Sequence, residues 1–240
     1  MAIKVGMKTY STEPERVAAW DFADFVEVLI VPDVDIAPLL DFDVPYRVHC
    51  AHDAFKVNFA DPSCREWNLR CLTEALEAAE KLGSPTVVVH PTGDLRGGSR
   101  DTAKELLSHV ADYHILLENL PELNMECETR ACWNAEEMQG FLSFGFGFCM
   151  DFGHAIASAA AQGIDYKPFV ERFLELEPHY FHVSNGLVRS EQDLHMPLDE
   201  GEFDLEFFRE CILKSKQPEV VLETPFDAEQ NLWEYELFKR

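Results

Sequence analysis

A chain of 240 residues, 47% of them apolar, has material for one large domain with a sizeable core. Its 44 acidic and 20 basic side chains leave a formal charge of −24 at neutral pH. That balance repels a polyanion such as duplex DNA, because phosphate binding runs on lysine and arginine, and no run of these marks a basic strip. The seven cysteines are odd in number and include no CxxC pair, so they read as reduced, mostly buried thiols of a cytoplasmic protein. The start MAIKVGMKTYS is too short in apolar run for a signal peptide, and no stretch approaches the ~20 apolar residues of a membrane span.

Taken in chain order, short β-rich runs are expected at residues 3–7, 26–31, 47–51, 86–90, 114–118, 147–151, 180–183 and 220–223. Helical patterns lie between them. The clearest begins at Asp61 and Pro62, a cap followed by proline at the first helical position. It carries Leu69, Leu72, Leu76 and Ala79 at helical spacing and stops at Gly83. Further helices are expected over 101–111, 135–144, 166–176, 205–214 and 228–238. The links after the first two strands show no clear helical period, and 33–46, with acids and two prolines, reads partly as loop. Continuous apolar strands such as PTVVVH predict a buried parallel sheet. Eight of them with right-handed crossovers close into a single-domain (β/α)8 barrel over residues 1–240. An open doubly wound sheet is the rival, but it would bind its ligand through one or two strand ends.

Here six strand-like segments end in a metal-type ligand: His49, His90, Glu118, Asp151, His182 and Glu223. Such ends converge at the C-terminal mouth of a barrel. A carboxylate closing an apolar strand is costly unless paired or metal-bound, and Glu118 and Glu223 both do so. Asp151 ends its strand while His154 turns back in the loop behind it, so both can reach one centre. Asp193 and His195, two apart in the loop after His182, can chelate together. Hard oxygens with imidazoles predict a divalent-ion site, for zinc, manganese or magnesium. Each residue alone has a blander reading, as a rim ion pair, a hydrogen-bonded structural histidine or a solvated acidic loop. His52, three residues after His49, competes for the same ligand role. His109, His114 and His179 receive no site role. The glycine-rich stretch 93–100, with Arg96 and Arg100, reads first as a plain flexible loop and second as a phosphate cradle. No Gly-x-Ser-x-Gly elbow or Walker pattern occurs.

The segments VHCAHDAFKVNFADP (48–62), VVVHP (87–91), LEN (117–119), DFGH (151–154), HVSN (182–185) and DLHMPLDEGEF (193–203) resemble the xylose isomerase-like TIM-barrel superfamily. That group includes sugar-phosphate isomerases and epimerases and endonuclease IV of AP endonuclease family 2. The likeness covers nearly the whole chain. In the isomerase-like members it implies one ion held by Glu118, Asp151, His182 and Glu223. Likeness to endonuclease IV implies three zinc ions on nine ligands, matched here by His49, His90, Glu118, Asp151, His154, His182, Asp193, His195 and Glu223. The chain departs from endonuclease IV in being shorter, in lacking an evident basic set for gripping DNA, and in reading CAHDAF after His49 without the usual Pro-Tyr.

Three functions follow as expectations. The first is a metal-dependent isomerase or epimerase of a small sugar or sugar phosphate. Glu118 and Glu223 would act there as base and acid, and His154 or Arg189 would orient hydroxyls. The second is a two- or three-metal phosphoester hydrolase, with duplex DNA its least favoured substrate given the charge. The third is a barrel that binds a sugar without turning it over. The sequence leaves the oligomeric state open.

Overall fold

Valine-rich runs buried on both faces form strands here, and the strands pair in parallel because each is followed by a crossover that returns the chain to the same end. The computed structural model describes residues 2–112 and 114–239. Its strands are β1 (Lys4–Tyr10), β2 (Phe25–Leu29), β3 (Tyr46–His49), β4 (Val87–Val89), β5 (Ile115–Glu118), β6 (Gly147–Asp151), β7 (Tyr180–Val183) and β8 (Glu219–Leu222). They pair in sequence order, and β8 pairs with β1 to close the barrel. The helices are α1 (Arg65–Leu82), α2 (Arg100–Ser108), α3 (Ala135–Leu142), α4 (Phe152–Ala161), α5 (Tyr166–Leu174), α6 (Leu205–Leu213) and α7 (Ala228–Lys239). The chain is thus a (β/α)8 TIM barrel whose first two crossovers, where the sequence shows no helical period, hold only short 3-10 turns at Pro14–Ala19 and Ala37–Asp41.

Strand side chains alternate between two environments. Residues such as Val26, Val28, Val48, Val87, Val89, Leu117, Phe181 and Leu222 join the large core shared with the helices. Their neighbours Phe25, Val88, Leu116, Cys149, Tyr180 and Val221 form a second apolar cluster inside the barrel. Gly6 belongs to this inner layer, where a Cβ would stand 2.3 Å from the ring of Phe25. The aromatic ring therefore fills the space that β1 leaves.

Three expectations need correction. β1 runs on to Tyr10 rather than stopping at residue 7, which brings Lys8 into the strand. Leu76, read as part of the apolar face of α1, is 38% exposed, and the buried face is made instead by Asn68, Cys71, Leu72, Ala75, Ala78 and Ala79. The segment after Asp151, read as loop, is α4, entered with no connecting residue. Asp151 ends β6 and at once caps the helix, accepting the His154 backbone N–H at 2.6 Å. The expected end of α1 holds: Gly83 has φ 66°, the left-handed conformation glycine adopts without cost. Among the described residues no helix is long and apolar enough to cross a membrane.

Candidate metal centre

Two residues beyond the inner layer, on the same face of each strand line, stands a titratable group: Lys8, Glu27, His49, His90, Glu118, Asp151, His182 and Glu223. The period of two places all eight at the C-terminal end of the barrel. His90 and Glu223 fall one residue past their strands, and the Glu223 N–H still bonds the Val183 carbonyl at 2.8 Å, which holds it in line.

The groups converge on Glu118. Its Oε2 lies 3.1 Å from His49 Nε2 and 3.2 Å from His90 Nε2. Its Oε1 lies 3.3 Å from His182 Nδ1 and 3.3 Å from His154 Nδ1. Glu223 Oε1 lies 2.8 Å from the same His182 Nδ1. A second cluster adjoins this one: His154 Nε2 is 3.4 Å from Asp193 Oδ2, which also contacts His195 Nε2. His195 Nδ1 in turn lies 3.5 Å from Glu223 Oε2.

Four of the imidazoles are oriented by a fixed acceptor. His182 Nε2 faces Glu27 Oε2 at 3.0 Å, and Tyr180 donates its hydroxyl to the same oxygen at 2.7 Å. His49 Nδ1 faces the Cys50 carbonyl at 2.7 Å, His154 Nδ1 the Asn119 carbonyl at 2.8 Å and His195 Nδ1 the Glu223 carbonyl at 3.0 Å. A ring nitrogen that donates to such an acceptor leaves the other nitrogen's lone pair directed at the carboxylates. Two lone-pair acceptors face to face repel, so the arrangement suits a cation between them. His182 Nδ1 makes the point most directly: it is buried, has two carboxylate oxygens within 3.3 Å, and forms no hydrogen bond of acceptable geometry. His90 Nδ1 is likewise buried and unpartnered. The donor set, imidazoles with carboxylates, fits a divalent ion.

The electrostatics show the demand for positive charge beside these carboxylates, which protonated imidazoles meet when no metal ion is bound. Burial favours the neutral form of Glu118, but His182 and His90 outweigh it and hold the carboxyl well below its usual range. Burial likewise opposes the ionised Glu223, and His182 and Lys8 override it. Burial would depress His182, yet Cys149, Glu223, Glu27 and Glu118 keep its pKa well above the ordinary value. Asp151 is the exception. Burial pushes it up to about 7, with Asp193, Glu118 and Glu223 adding repulsion against the partial relief from His154.

Two backbone features bring Asp193 and His195 in. His195 takes φ 46°, a left-handed conformation that a non-glycine residue adopts at a cost of about 1–2 kcal/mol. Gly153, in the first turn of α4, has no side chain where a Cβ would stand 2.9 Å from Asp193 Oδ1 and 3.3 Å from Asp151 Oδ1.

Above the centre opens a cavity of about 440 Å³, lined among others by Lys8, His52, His90, Glu118, Arg130, His154, Asp193, His195 and Glu223. A side lobe of about 380 Å³ shares Lys8, His52, His195 and Glu223 with it and adds Tyr10, Arg16 and Phe226. His49, Asp151 and His182 lie beneath this floor rather than on it. His52 stands at the mouth, its ring stacked 4.8 Å from that of His90, with Asp53 close enough to complete a three-donor group. Arg189 is exposed on a turn after β7 and lines neither lobe. In the glycine-rich loop, Arg96 pairs with Glu128 at 2.5 Å and Arg100 with Glu137 at 2.9 Å. Gly98 packs where a Cβ would stand 1.7 Å from the Ala60 carbonyl oxygen. That loop is a packed structural element with its cations already neutralised.

Lys8, Glu27 and Tyr180 were missed from the sequence. The signal was present for Glu27, the lone charge of the apolar strand FVEVL, and weaker for Lys8, the second lysine of KVGMKTY after the exposed Lys4.

A family model described as a xylose isomerase-like TIM barrel matches residues 39–238. A Thermoplasma acidophilum protein named probable endonuclease 4 is 26% identical over 197 residues, which cover 73% of this chain and 66%, just under two thirds, of that protein. Among solved structures, endonuclease IV from Thermus thermophilus superposes with a TM-score of 0.72 at 20% identity, covering 98% of this chain and 97% of that one. A D-tagatose 3-epimerase-like protein superposes with a TM-score of 0.71 at 19% identity and the same coverage of 98% and 97%. At such identities the two structures share the fold.

Proposed function

We propose a function from one premise: the chain belongs to the xylose isomerase-like TIM barrel family. The function is isomerisation or epimerisation of a small sugar or sugar phosphate, dependent on a divalent metal ion such as zinc, manganese or magnesium. The observation that carries it is the meeting of Glu118 and Glu223, from β5 and β8, on one nitrogen of His182 at the floor of a cavity of about 440 Å³. Glu118, Asp151, His182 and Glu223 would hold the ion, which supplies Lewis acidity toward adjacent carbonyl and hydroxyl oxygens. His90 with His49 or His52 would complete a neighbouring position, and His154, Asp193 and His195 a third.

The protein's own part is proton transfer. A carbon-bound proton next to a carbonyl is very weakly acidic, so its removal needs a base already in place and ionised. Glu223 meets that requirement, because it lines the cavity and His182 and Lys8 hold it as a carboxylate. Glu118 also lines the cavity, and stands on a different strand to return a proton from another direction. His154, buried but lining the cavity, is placed to hold a substrate hydroxyl. The net charge of −24 supports a small substrate over a polyanion. The test is deuterium uptake from heavy water into a panel of ketoses, aldoses and their phosphates, with zinc, manganese or magnesium supplied. Uptake into one of them is expected, and none across the panel would defeat the reading.

A second reading, phosphoester hydrolysis with two or three ions, is favoured by one specific observation. The His154, Asp193 and His195 donors form a three-donor group that adjoins the one around Glu118 and shares His154 with it, which supports a reading with more than one cation. Two or three bound equivalents together with cleavage of an abasic-site oligonucleotide or of p-nitrophenyl phosphate would favour it. One equivalent would exclude the multi-ion version.

A further inference from the structure

Lys8 is the anomaly of the ring. The carboxylates Glu27, Glu118, Asp151 and Glu223 are all buried, and each buried charge is costly without a partner. Into this group β1 sends an ammonium whose side chain is 16% exposed. It bonds Glu223 Oε1, the same oxygen that faces His182 Nδ1, and lies 3.3 Å from Glu27 Oε1. Glu27 Oε1 is buried and has no hydrogen-bond partner of acceptable geometry, while its Oε2 is taken by Tyr180 and His182. Lys8 therefore stands between a carboxylate expected to ligate metal and a second one with an unfilled oxygen deeper in the barrel.

We propose that Lys8 is the resident counter-cation of the centre: it holds Glu223 until a divalent ion arrives, then yields it by withdrawing onto Glu27. The inference rests on the metal-dependent reading above. A lysine ammonium is a point charge on a flexible stem, so the move requires only rotation of its side chain. Two consequences follow. While the ammonium sits on Glu223, it competes with the incoming ion for that carboxylate. Glu27 serves as the alternative seat, and without it the competition grows stronger.

The test is titration of the full-length, metal-stripped protein with zinc or manganese alone, read by calorimetry or by competition with a chelating dye. Lys8→Gln keeps a donor toward Glu223 but removes the charge, and Lys8→Met removes both. Each is expected to bind at least about tenfold more tightly than the parent, because a like charge within a few ångströms of the ion is gone. Lys8→Arg, which keeps the charge, is expected to show no such tightening, and a tightening equal to that of Lys8→Gln would overturn the proposal. In a Glu27→Gln background the tightening caused by Lys8→Gln should be larger than in the parent, since the ammonium there has lost its alternative seat. Equal or weaker affinity in Lys8→Gln would overturn the proposal, and so would a tightening no larger in the Glu27→Gln background. Circular dichroism verifies the fold of each variant, and Lys8→Gln decides the matter where Lys8→Met does not fold. Tightened binding with no deuterium uptake would sink the isomerase reading and leave Lys8 in this role. If neither the parent nor Lys8→Gln took up zinc or manganese, both readings would fall.

Discussion

The Nε2 atom of His182 on β7 lies 3.0 Å from Oε2 of Glu27 on β2, so a buried carboxylate across the barrel fixes the orientation of a candidate ligand imidazole. A carboxylate bonded to a ligating histidine sets its tautomer and raises its basicity. Glu27→Gln removes the charge while keeping the shape. Zinc affinity should fall about 10- to 100-fold, the usual cost of such a partner. Dye-competition titration measures it, and unchanged affinity would show that Glu27 is merely a packing residue.

Asp151 gives the pH dependence. Burial raises its pKa to about 7 in the folded chain, against about 3.9 for an unperturbed aspartate. A protonated carboxyl does not ligate, so zinc or manganese affinity should climb as pH rises through 7, and climb further above it as His182, held protonated by its carboxylate neighbours, gives up its proton to ligate. The same proton has the opposite effect on the metal-stripped fold. Between about pH 4 and 7 the folded state binds it and the unfolded state does not, so stability from this group falls as pH rises. Metal titrations and thermal melts across that window read the two slopes, and slopes of the same sign would contradict the assignment.

Gly153→Ala puts a Cβ 2.9 Å from Asp193 Oδ1. The Asp193 carboxylate must shift by a few tenths of an ångström, away from the position shared with His154 and His195. Zinc stoichiometry is expected to drop by the ion this cluster would hold, with a modest stability loss of about 1–2 kcal/mol. Full stoichiometry in the alanine variant would show that the cluster tolerates the shift.

Glu223→Gln should abolish proton transfer more completely than binding. Loss of a positioned base commonly costs about 10²–10⁴ in rate. Deuterium uptake at saturating metal is the measurement, and near-parent exchange would move the base elsewhere.

Arg189→Ala supplies the contrast. An exposed turn residue that lines neither cavity lobe should change metal affinity and sugar exchange little, and stability by less than about 0.5 kcal/mol. A large rise in KM would return it to the substrate-binding role expected from sequence.

The barrel was legible because its strands are continuous apolar runs and six of them stop at a ligand-type residue, a pattern open sheets do not produce. α4 was not legible, since Asp151 serves as strand end and helix cap together and leaves no turn residues between Met150 and Phe152. The convergence of His154 with Glu118 and Asp193 follows from this joint, because the first turn of a helix aims His154 more firmly than a loop would. Lys8 was hidden by an underestimated β1: with the strand ended at residue 7, it fell outside the period-two register. His52 was weighed only as a rival of His49. The two differ in depth, His49 fully buried and His52 at the mouth, and sequence spacing carries no measure of depth.

The two-residue step from apolar layer to polar ring has a further consequence for assembly. A slip of one position by any strand would swing its charged member outward against the helices and turn a neighbour from the helix-facing side toward the cavity. Misaligned barrels are thereby penalised strand by strand. The groups that equip this opening for chemistry are also those that keep the staves in alignment, and mutations that retune one property will trade against the other.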